Sequence, residues 1–585
     1  MPGFFVSNID TKISLKDAYP ERCIKAAPLV TGMGGGKALC QTLNKFLQDK
    51  AFVKLGDRIL ILEGCLLNKA DLFEKMGVRD VPALMASMYS RYGEDFFRHF
   101  RGSFSGAVYD GTLEKWIVFT NHAGDAAVFY CCAGGKFAAG SQITYILDWC
   151  KEQEIQKTFN ESCAYQMLTF GYVVSDETYA KEIKRLHGGD YLVWQDGQLS
   201  VRNYHRFVKH TERFEGKTES EIIEAIDYTF RQAVAKEWGK DEEYNYEHLA
   251  DLSGGLDSRM NVWVAHEEMD CRATILTYCK EGYLDESIAR QIAEYWNDTF
   301  IFKSLDDAAF MYDIDKNTAL LGGLSLYSGI TGGRAALESL EMDRFGIEHT
   351  GMIGDAVLGS FFRSSDDEAR KWPSGMYSEK LSRYLPEHIK MLSDGYDAYE
   401  IYLIYARGFR GACNTHLLRR NYTEVSSPFL NVEFLQLCFD IPVQIRIGHH
   451  IYKKWIISKY PQAARFQWEK TGGMLTEPAI LTQMRRWGKK GPKMLLRLLG
   501  KDAMIADGMN PIDYWLAANK VLRNYLDTYM CDGIKRWAGL YSPALSQNME
   551  RLYNTGNASE KAMVLTVLAA TKLYFGGAID GADRI

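Results

Sequence analysis

The chain has 585 residues, of which 46% are apolar and 25% charged, and its formal net charge is −6 at pH 7. This length predicts two or three domains, each with its own core. The mildly acidic balance argues against nucleic acid as a partner, because surfaces that bind nucleic acid are usually basic.

Neither the N-terminus nor any apolar run predicts export or a membrane span. The start lacks the basic and apolar regions of a signal peptide. The most apolar late run, Ala562 to Thr571, is too short to cross a bilayer and predicts a buried helix. The twelve cysteines are scattered without a Cys-x-x-Cys pair. We therefore expect reduced thiols and a cytoplasmic protein.

Residues 1–205 consist of short apolar or alternating runs separated by turn signals such as Asp110-Gly111 and Asp196-Gly197. Examples of these runs are Arg58–Glu63 and Trp116–Phe119. This pattern predicts a largely antiparallel β domain with a few helices, one of them near Val81–Tyr92.

A charged connection follows, and a helix is predicted to open at Thr218. Glu221 stands three residues later and completes a capping-box pattern. The apolar positions of this helix repeat at helical spacing and predict one buried stripe. These positions are Ile222, Ile223, Ile226, Phe230 and Val234.

The stretch Leu252–Arg259 reads Leu-Ser-Gly-Gly-Leu-Asp-Ser-Arg between a predicted strand and a predicted helix. Glycines let the backbone approach a charged ligand, and the free N–H groups of the first helical turn point at it. Ser253 and Ser258 add hydroxyl donors. Asp257 would repel bound phosphates unless it holds a Mg²⁺ that bridges to them. The alternative is an ordinary strand-to-helix turn.

Two similar units follow, and together they predict a doubly wound parallel sheet. The run Ala273–Tyr278 precedes an amphipathic helix that opens at Leu284, and Ile347–Ser360 is again strand, glycine-rich turn and helix. Ligands bind at the carboxyl ends of strands in such sheets. Asp355 therefore joins Asp257 as a predicted Mg²⁺ ligand, although alone it would be interpreted as a helix cap.

Several of these motifs resemble one enzyme family. Leu252–Arg259 resembles the Ser-Gly-Gly-x-Asp-Ser pyrophosphate loop of ATP pyrophosphatases. The turn of the third unit, Thr423–Asn431 and Phe466–Gly473 resemble motifs of asparagine synthetases and β-lactam synthetases. Arg101–Asp110 and similar stretches of the N-terminal half resemble the glutaminase-like domain of asparagine synthetases. The resemblance extends to about residue 475.

The resemblance implies an α/β and α+β architecture of three parts. Residues 1–205 would form an Ntn-hydrolase-like αββα domain. Residues 206–475 would form a doubly wound ATP pyrophosphatase domain of the adenine nucleotide α-hydrolase-like type. Residues 476–585 match nothing and are expected to be a helical C-terminal extension, with a solvated basic face at Met484–Lys493.

The reaction implied by the resemblance is an AMP-forming amide ligation with ATP and Mg²⁺ as cofactors. A small-molecule or peptide carboxylate is adenylated, and ammonia or an amine then attacks the acyl-adenylate. Lys470 would stabilise negative charge in both steps, with Lys453 and Lys454 as rival candidates. Positions in the motifs assign pyrophosphate binding to Ser253, Gly254, Gly255, Asp257 and Ser258, adenosine contacts to Leu252, Leu276 and Gly351, and metal binding to Asp257 and Asp355.

Departures from the family pattern concern the nitrogen donor. Pro2 stands where a working glutaminase has its nucleophilic cysteine, and Glu63-Gly64-Cys65 replaces Asn-Gly-Glu. The family's acid-base residue falls at Met352, which cannot take a proton. Ser426 and Asn431 replace a family Arg and Asp. We expect no glutaminase activity, because the conceivable substitute nucleophiles, Cys65 and Cys23, could become N-terminal only through processing that nothing in the sequence indicates.

Three alternatives stay open at this stage. The enzyme could close an intramolecular amide, as β-lactam synthetases do. It could be a different ATP pyrophosphatase, for example a thiolating or nicotinamide-cofactor-forming enzyme. It could also be a pseudoenzyme that binds nucleotide without turnover. A homo-oligomer is compatible with the sequence, which names neither the acid nor the amine.

Overall fold

The computed structural model describes residues 2–15, 22–31, 35–329, 333–368, 375–478, 481, 484 and 508–576. The predicted basic face at Met484–Lys493 lies almost wholly outside the described residues. Within them, no helix combines the length and the apolar character needed to cross a membrane. All twelve cysteines are free, as expected of reduced thiols.

Thirteen strands of the N-terminal half form two antiparallel sheets. The first sheet has the order β11-β9-β10-β1-β4-β2, with β3 also paired to β4, and the second has the order β13-β12-β8-β7-β6-β5. The strands are β1 Gly3–Ser7, β2 Cys23–Lys25, β3 Leu29–Val30, β4 Lys37–Leu43, β5 Ala51–Leu55, β6 Arg58–Leu66, β7 Gly102–Asp110, β8 Lys115–Thr120, β9 Phe129–Ala133, β10 Lys136–Gly140, β11 Ile183–Arg185, β12 Asp190–Gln195 and β13 Gln198–Asn203. The predicted antiparallel region is confirmed.

Four layers result from the alternating side chains of these strands. One apolar core, which includes Phe4, Ile61 and Val118, lies between the two sheets. The outer face of the second sheet packs against helices α1 and α2, and the outer face of the first packs against α3 and α4. These four helices are α1 Lys69–Met76, α2 Val81–Tyr92, α3 Ile143–Glu152 and α4 Glu161–Phe170. The order of layers is the αββα arrangement expected from the resemblance.

Helix α5, Glu219–Glu243, joins the two halves of the chain. The Thr218 side chain accepts the Glu221 N–H and the Glu221 carboxylate accepts the Thr218 N–H, so the predicted capping box is present. Its predicted stripe, from Ile222 to Val234, is buried. Farther along the helix, Lys240 donates to the buried carboxylate of Asp49 in the N-terminal half. Helix α5 therefore packs on the parallel sheet and is anchored to the antiparallel half.

Five parallel strands form the third sheet in the order β16-β15-β14-β17-β18. They are β14 Glu247–Asp251, β15 Ala273–Cys279, β16 Thr299–Ser304, β17 Phe345–His349 and β18 Val425–Ser426. Apolar clusters cover both faces of this sheet, as parallel sheets require. The predicted parallel sheet is confirmed, whereas its assignment as an ATP pyrophosphatase domain stays a prediction.

The remaining helices surround the third sheet and extend beyond it. They are α6 Asp257–Met269, α7 Leu284–Trp296, α8 Ile314–Leu320, α9 Gly333–Glu338, α10 Glu387–Lys390, α11 Tyr399–Leu403, α12 His416–Arg419, α13 Val432–Asp440, α14 Val443–Arg446, α15 His450–Lys459, α16 Ile512–Ala518, α17 Lys520–Trp537, α18 Pro543–Thr555 and α19 Ala558–Phe575. Two π-helical stretches, Asp355–Gly359 and Ile404–Gly411, lie among them.

The C-terminal helices are part of the protein's main core. Helix α19 contains the predicted buried run and packs against α4, α8, α17 and α18. Its side chains from Ala562 to Thr571 are all buried. The run was predicted to be a buried helix, and the structure confirms it. The boundaries proposed for the three parts of the chain stay predictions.

The third unit differs in one respect from its predicted pattern. The segment after its glycine-rich turn is a single π-helical stretch of five residues, Asp355–Gly359, and not a longer α-helix. Ser360 follows with a φ of 90° and ends the stretch. Met352 and Ile353 precede it within the turn. The turn and the short helix therefore form one compact loop over the sheet's carboxyl edge.

Candidate active site

Strand order places the two predicted metal loops next to each other. Strand β14 lies between β15 and β17, so the chain continues from β14 toward β15 and from β17 toward β18, in opposite directions along the sheet. Such a switch point opens a crevice at the carboxyl ends of the two central strands. The loop after β14 is residues 252–256, and the loop after β17 is residues 350–354. We call them the first loop and the second loop.

Internal hydrogen bonds hold the first loop in a tight turn. The Ser253 N–H donates to Ser258 Oγ at 3.1 Å, and the Gly255 N–H donates to Ser253 Oγ at 3.2 Å. The Leu252 N–H donates to the Leu276 carbonyl at 3.0 Å, which brings the two predicted adenosine contacts together. These hydrogen bonds bring together several of the residues that are predicted to bind the nucleotide: Ser253, Ser258, Gly255, Leu252 and Leu276.

Asp285 accepts a hydrogen bond from one of the backbone N–H groups that are predicted to bind phosphate. Its Oδ1 accepts the Gly254 N–H at 2.7 Å. A Cβ on Gly254 would lie 2.9 Å from the same oxygen, so only glycine fits here. Burial, together with the nearby Glu469 carboxylate, raises the pKa of Asp285 to about 6. This contact could not be predicted, because nothing in one sequence pairs positions 254 and 285.

Glycines of the second loop allow it to approach the first loop closely. A Cβ on Gly351 would lie 2.3 Å from the Ser258 backbone nitrogen, and one on Gly354 would lie 2.7 Å from Asp257 Cγ. Between them, Ile353 has a φ of 63°, a left-handed conformation that is costly for a β-branched residue. Strain of this kind is often stored at functional sites.

The substitution Gly351→Ala is expected to separate the two loops. Its methyl group would collide with backbone atoms of Ser258, which cannot rotate away. We expect ATP affinity to fall at least tenfold and the protein to lose about 1–3 kcal/mol of stability, the usual range for overpacking. Isothermal titration with a non-hydrolysable ATP analogue and denaturant unfolding would measure both. Gly239→Ala, where a Cβ meets no atom, is the matched control.

The two predicted metal ligands meet at the crevice. The backbone N–H of Asp355 donates to Asp257 Oδ2 at 2.8 Å, and the Tyr452 hydroxyl donates to Asp257 Oδ1 at 2.9 Å. Burial and the negative charge of Asp355 raise the pKa of Asp257 to about 8. Asp355 itself is exposed. A divalent cation between the carboxylates would remove their repulsion, so the residues present fit the predicted Mg²⁺.

Lys470 is the best placed of the three candidate lysines. Its positive charge acts to lower the pKa of Asp257, and its Nζ lies 5.6 Å from the centre of the Trp468 ring. Lys454 instead forms an ion pair with Glu219 on the protein surface. Lys470, and not Lys453, is among the main charges that act on the pKa of Asp257. Lys470 therefore remains the predicted charge-stabilising residue.

The segment that carries Lys470 is attached to the first loop. The Glu469 N–H donates to the Gly254 carbonyl at 3.1 Å. The buried Arg259 guanidinium bonds the same carbonyl at 3.2 Å and the carbonyls of Ala463 and Phe466, each at 3.2 Å. The sequence assigns no role to Arg259 or Tyr452. Arg259 lies within the Leu252–Arg259 motif, but spacing along the chain does not predict long-range partners such as these.

Met352 contacts the segment Thr423–Asn431. The Ser427 hydroxyl donates to the Met352 carbonyl at 3.1 Å. Ser426, which stands in place of an arginine in the resembled family, donates to Glu237 at 2.7 Å. The Met352 side chain is half-buried and packs against the core on one face of the third sheet. A thioether thus stands where the pattern of the resembled family has an ionisable group.

Buried ion pairs fill the region around Pro2. Lys50 Nζ lies 3.8 Å from Glu63 and 3.3 Å from Glu424, and all three side chains are nearly inaccessible. The cavity lined by Pro2 and Glu63 has a volume of about 40 Å³, which accommodates little more than water. The Cys65 thiol donates to Asp49, and burial keeps its pKa well above the ordinary range. A thiol in this state is a poor nucleophile.

Comparisons with known proteins agree with the predicted resemblance. Residues 54–205 match the glutamine amidotransferase domain family, so the match does not include Pro2 or β1. Glutamine-hydrolyzing asparagine synthetase 3 of Bacillus subtilis is 26% identical over 245 residues, which cover 40% of this chain and 38% of that protein. The amidase chyE of Penicillium rubens is 22% identical over 191 residues, which cover 32% of this chain and 27% of the amidase.

These relatives are matched over only about a quarter to two-fifths of their own lengths. Among solved structures, the glutamine phosphoribosylpyrophosphate amidotransferase of B. subtilis is 10% identical at a TM-score of 0.26, with 52% of this chain and 91% of that chain covered. A score this low carries no argument. The chain therefore contains a region of glutamine amidotransferase type and is a distant relative of asparagine synthetases and amidases, which confirms the resemblance.

Proposed function

We propose that the protein is an ATP-dependent, AMP-forming amide ligase. Mg·ATP would adenylate a small-molecule or peptide carboxylate at the crevice between the first and second loops, and ammonia or an amine would then attack the acyl-adenylate. The observation that carries the proposal is the pairing of Asp257 with Asp355 at the switch point of a parallel sheet. Two carboxylates held together there suit a Mg²⁺ that also binds phosphates.

Phosphoryl chemistry of this kind requires positioning and charge neutralisation more than covalent help from the protein. Ser253 and Ser258 would donate to the pyrophosphate, and the Gly254 N–H would join them once Asp285 gives up its bond. Lys470 would neutralise charge that develops on the α-phosphate and on the acyl carbon. Met352 cannot accept the proton of the attacking amine, so the amine must reach the acyl-adenylate as its free base.

The proposal is tested by following labelled oxygen. Candidate acids carrying ¹⁸O in the carboxylate are incubated with Mg·ATP, with and without ammonia or amines. Adenylation transfers one ¹⁸O atom to AMP and releases pyrophosphate, because the acid's oxygen stays on the α-phosphorus when the amide forms. Production of ADP and phosphate would contradict the proposal. ATP binding without turnover of any acid would favour a pseudoenzyme.

Glutamine is expected not to serve as a nitrogen donor. Pro2 has no thiol, and Glu63-Gly64-Cys65 stands where the resembled family has Asn-Gly-Glu. We expect no ammonia release from glutamine above the uncatalysed rate, while ammonium chloride or an amine supports amide formation. A coupled glutamate dehydrogenase assay on the full chain measures the first quantity. Glutamine-dependent product at a rate comparable to that with ammonia would refute this view of the N-terminal half.

A further inference from the structure

A buried cluster of two histidines and two carboxylates lies on the side of β14 and β17 that packs against α5. His248 is on β14, His349 is the last residue of β17, and Asp241 and Glu237 are on α5. One oxygen, Asp241 Oδ2, lies 2.9 Å from His248 Nδ1 and 2.8 Å from His349 Nε2. The proposed ligase reaction uses none of these four side chains, so the cluster requires a separate explanation.

We propose that Asp241, His248 and His349 form a site for one Zn²⁺-class divalent cation. Each residue offers one ligand atom, and the three atoms lie within 4.8 Å of one another. Two imidazole nitrogens and one carboxylate oxygen are a common ligand set for zinc. Ligand atoms at tetrahedral corners about 2.0–2.1 Å from zinc are roughly 3.3 Å apart, so small rotations of the side chains would admit the ion.

The groups around these ligands are arranged as a supporting shell. His349 Nδ1 lies 3.0 Å from Glu237 Oε1, a carboxylate–histidine pair of the kind that orients metal-bound imidazoles. The Ile347 N–H donates to Asp241 Oδ1 at 2.7 Å, which leaves Oδ2 for the ion. Trp238 stacks on the His349 ring at 4.2 Å. Asp241 and His349 are therefore each held in place by a contact that does not use the coordinating atom.

The backbone is also shaped around Asp241. Pairing between β14 and β17 is irregular from Glu247 to Leu249, opposite the segment that contains Gly346. A Cβ on Gly346 would lie 2.0 Å from Asp241 Oδ1, so this strand position must be glycine for the carboxylate to fit. His248 keeps 8% of its side chain exposed, whereas Asp241 and His349 are fully buried. An ion would therefore enter from the His248 side.

Buried negative charge faces the proposed site. Glu237 Oε1 lies 3.0 Å from His349 Nδ1, and Asp241 Oδ2 lies 2.8 Å from His349 Nε2. Buried carboxylates are usually paired with a cation or bound to a metal, and a divalent cation at Asp241 Oδ2 would offset their charge. His349 precedes the second loop directly, so the bound ion would hold the base of that loop.

The test uses the full chain, stripped with a chelator and kept in excess Mg²⁺ so that Asp257 and Asp355 are occupied. Zn²⁺ alone is then titrated by calorimetry. We expect one tightly bound ion per chain and a higher unfolding temperature. His450→Gln, on an exposed histidine, is expected to bind zinc like the wild type. Glu237→Gln is expected to weaken binding about 10- to 100-fold.

The variants His349→Gln and Asp241→Asn remove proposed ligands and could fail to fold. Cobalt spectroscopy on the wild type tests the proposed site without them. Co²⁺ is expected to give tetrahedral or five-coordinate d–d bands without a thiolate charge-transfer band, and zinc is expected to remove them. A thiolate band would place the ion on cysteines and overturn the proposal. No d–d bands, or full zinc binding in a folded His349→Gln variant, would overturn it as well.

Discussion

Replacing Asp257 with asparagine is expected to lower the rate of pyrophosphate release by about a hundred- to a thousandfold, the usual loss when one charge-stabilising group is removed. The carboxylate is the member of the Asp257–Asp355 pair that sits at the start of α6, between the first loop and Tyr452. Asparagine retains the shape and can still accept the Asp355 N–H. It cannot neutralise a divalent cation, so positioning is preserved while Mg²⁺ binding is lost.

The same substitution is expected to leave folding stability unchanged or to raise it. The pKa of Asp257 is about 8 in the folded protein, above the value near 3.9 of an unfolded aspartate. A carboxyl group with a raised folded pKa destabilises the protein as pH rises from the unfolded toward the folded value. Without Mg²⁺, the stability advantage of Asp257→Asn over the wild type should therefore increase between about pH 4 and pH 8.

Asp257→Asn is thus expected to lose activity without losing stability. This combination distinguishes a metal ligand from a residue that only supports the fold. Asp270→Asn is the matched control, because Asp270 is an exposed residue at the opposite end of α6 with a φ of 46°, a conformation that asparagine tolerates. Denaturant unfolding and pyrophosphate release are measured on all three proteins. Equal activity of Asp257→Asn and wild type would eliminate the assigned site.

Local patterns were sufficient to predict much of the fold. The capping box at Thr218, the helix Val81–Tyr92 and the buried run in α19 depend on contacts within a few residues, and each lies where the pattern places it. The parallel sheet follows from repeated strand-to-helix units. The five-residue π stretch at Asp355–Gly359 did not follow, because the close approach of the two loops determines that backbone.

The candidate site shows the same division between local and distant information. Motif positions brought Asp257 and Asp355 together in advance, since both follow strands that neighbour each other in a doubly wound sheet. They did not identify Asp285 as the partner of Gly254 or Tyr452 as the partner of Asp257, because those contacts span 31 and 195 residues of sequence. The proposed zinc-class site could not be predicted from local patterns either, because His248 and His349 belong to different strands and do not have the short spacing typical of metal ligands.

Replacing Lys470 with methionine is expected to lower kcat about a hundredfold or more, with a smaller change in KM for ATP. The argument rests on charge that develops only during reaction: the α-phosphate gains negative charge in adenylation, and the acyl oxygen gains it in amide formation. An interaction that exists mainly in the transition state affects kcat more than ground-state binding. Methionine keeps the unbranched aliphatic chain beside Trp468 and removes only the ammonium group.

Lys454→Met supplies the control for Lys470→Met, because Lys454 is a rival candidate for the same role but is paired with Glu219 at the surface. Its loss is expected to change neither kcat nor KM by more than about twofold, as surface ion pairs contribute little. Steady-state pyrophosphate release at saturating Mg·ATP compares the two variants. A loss of kcat in Lys454→Met with full activity in Lys470→Met would transfer the role from one lysine to the other. Equal effects would instead point to the net charge of the region, because a positioned ammonium is effective only within hydrogen-bonding reach of the reacting atoms.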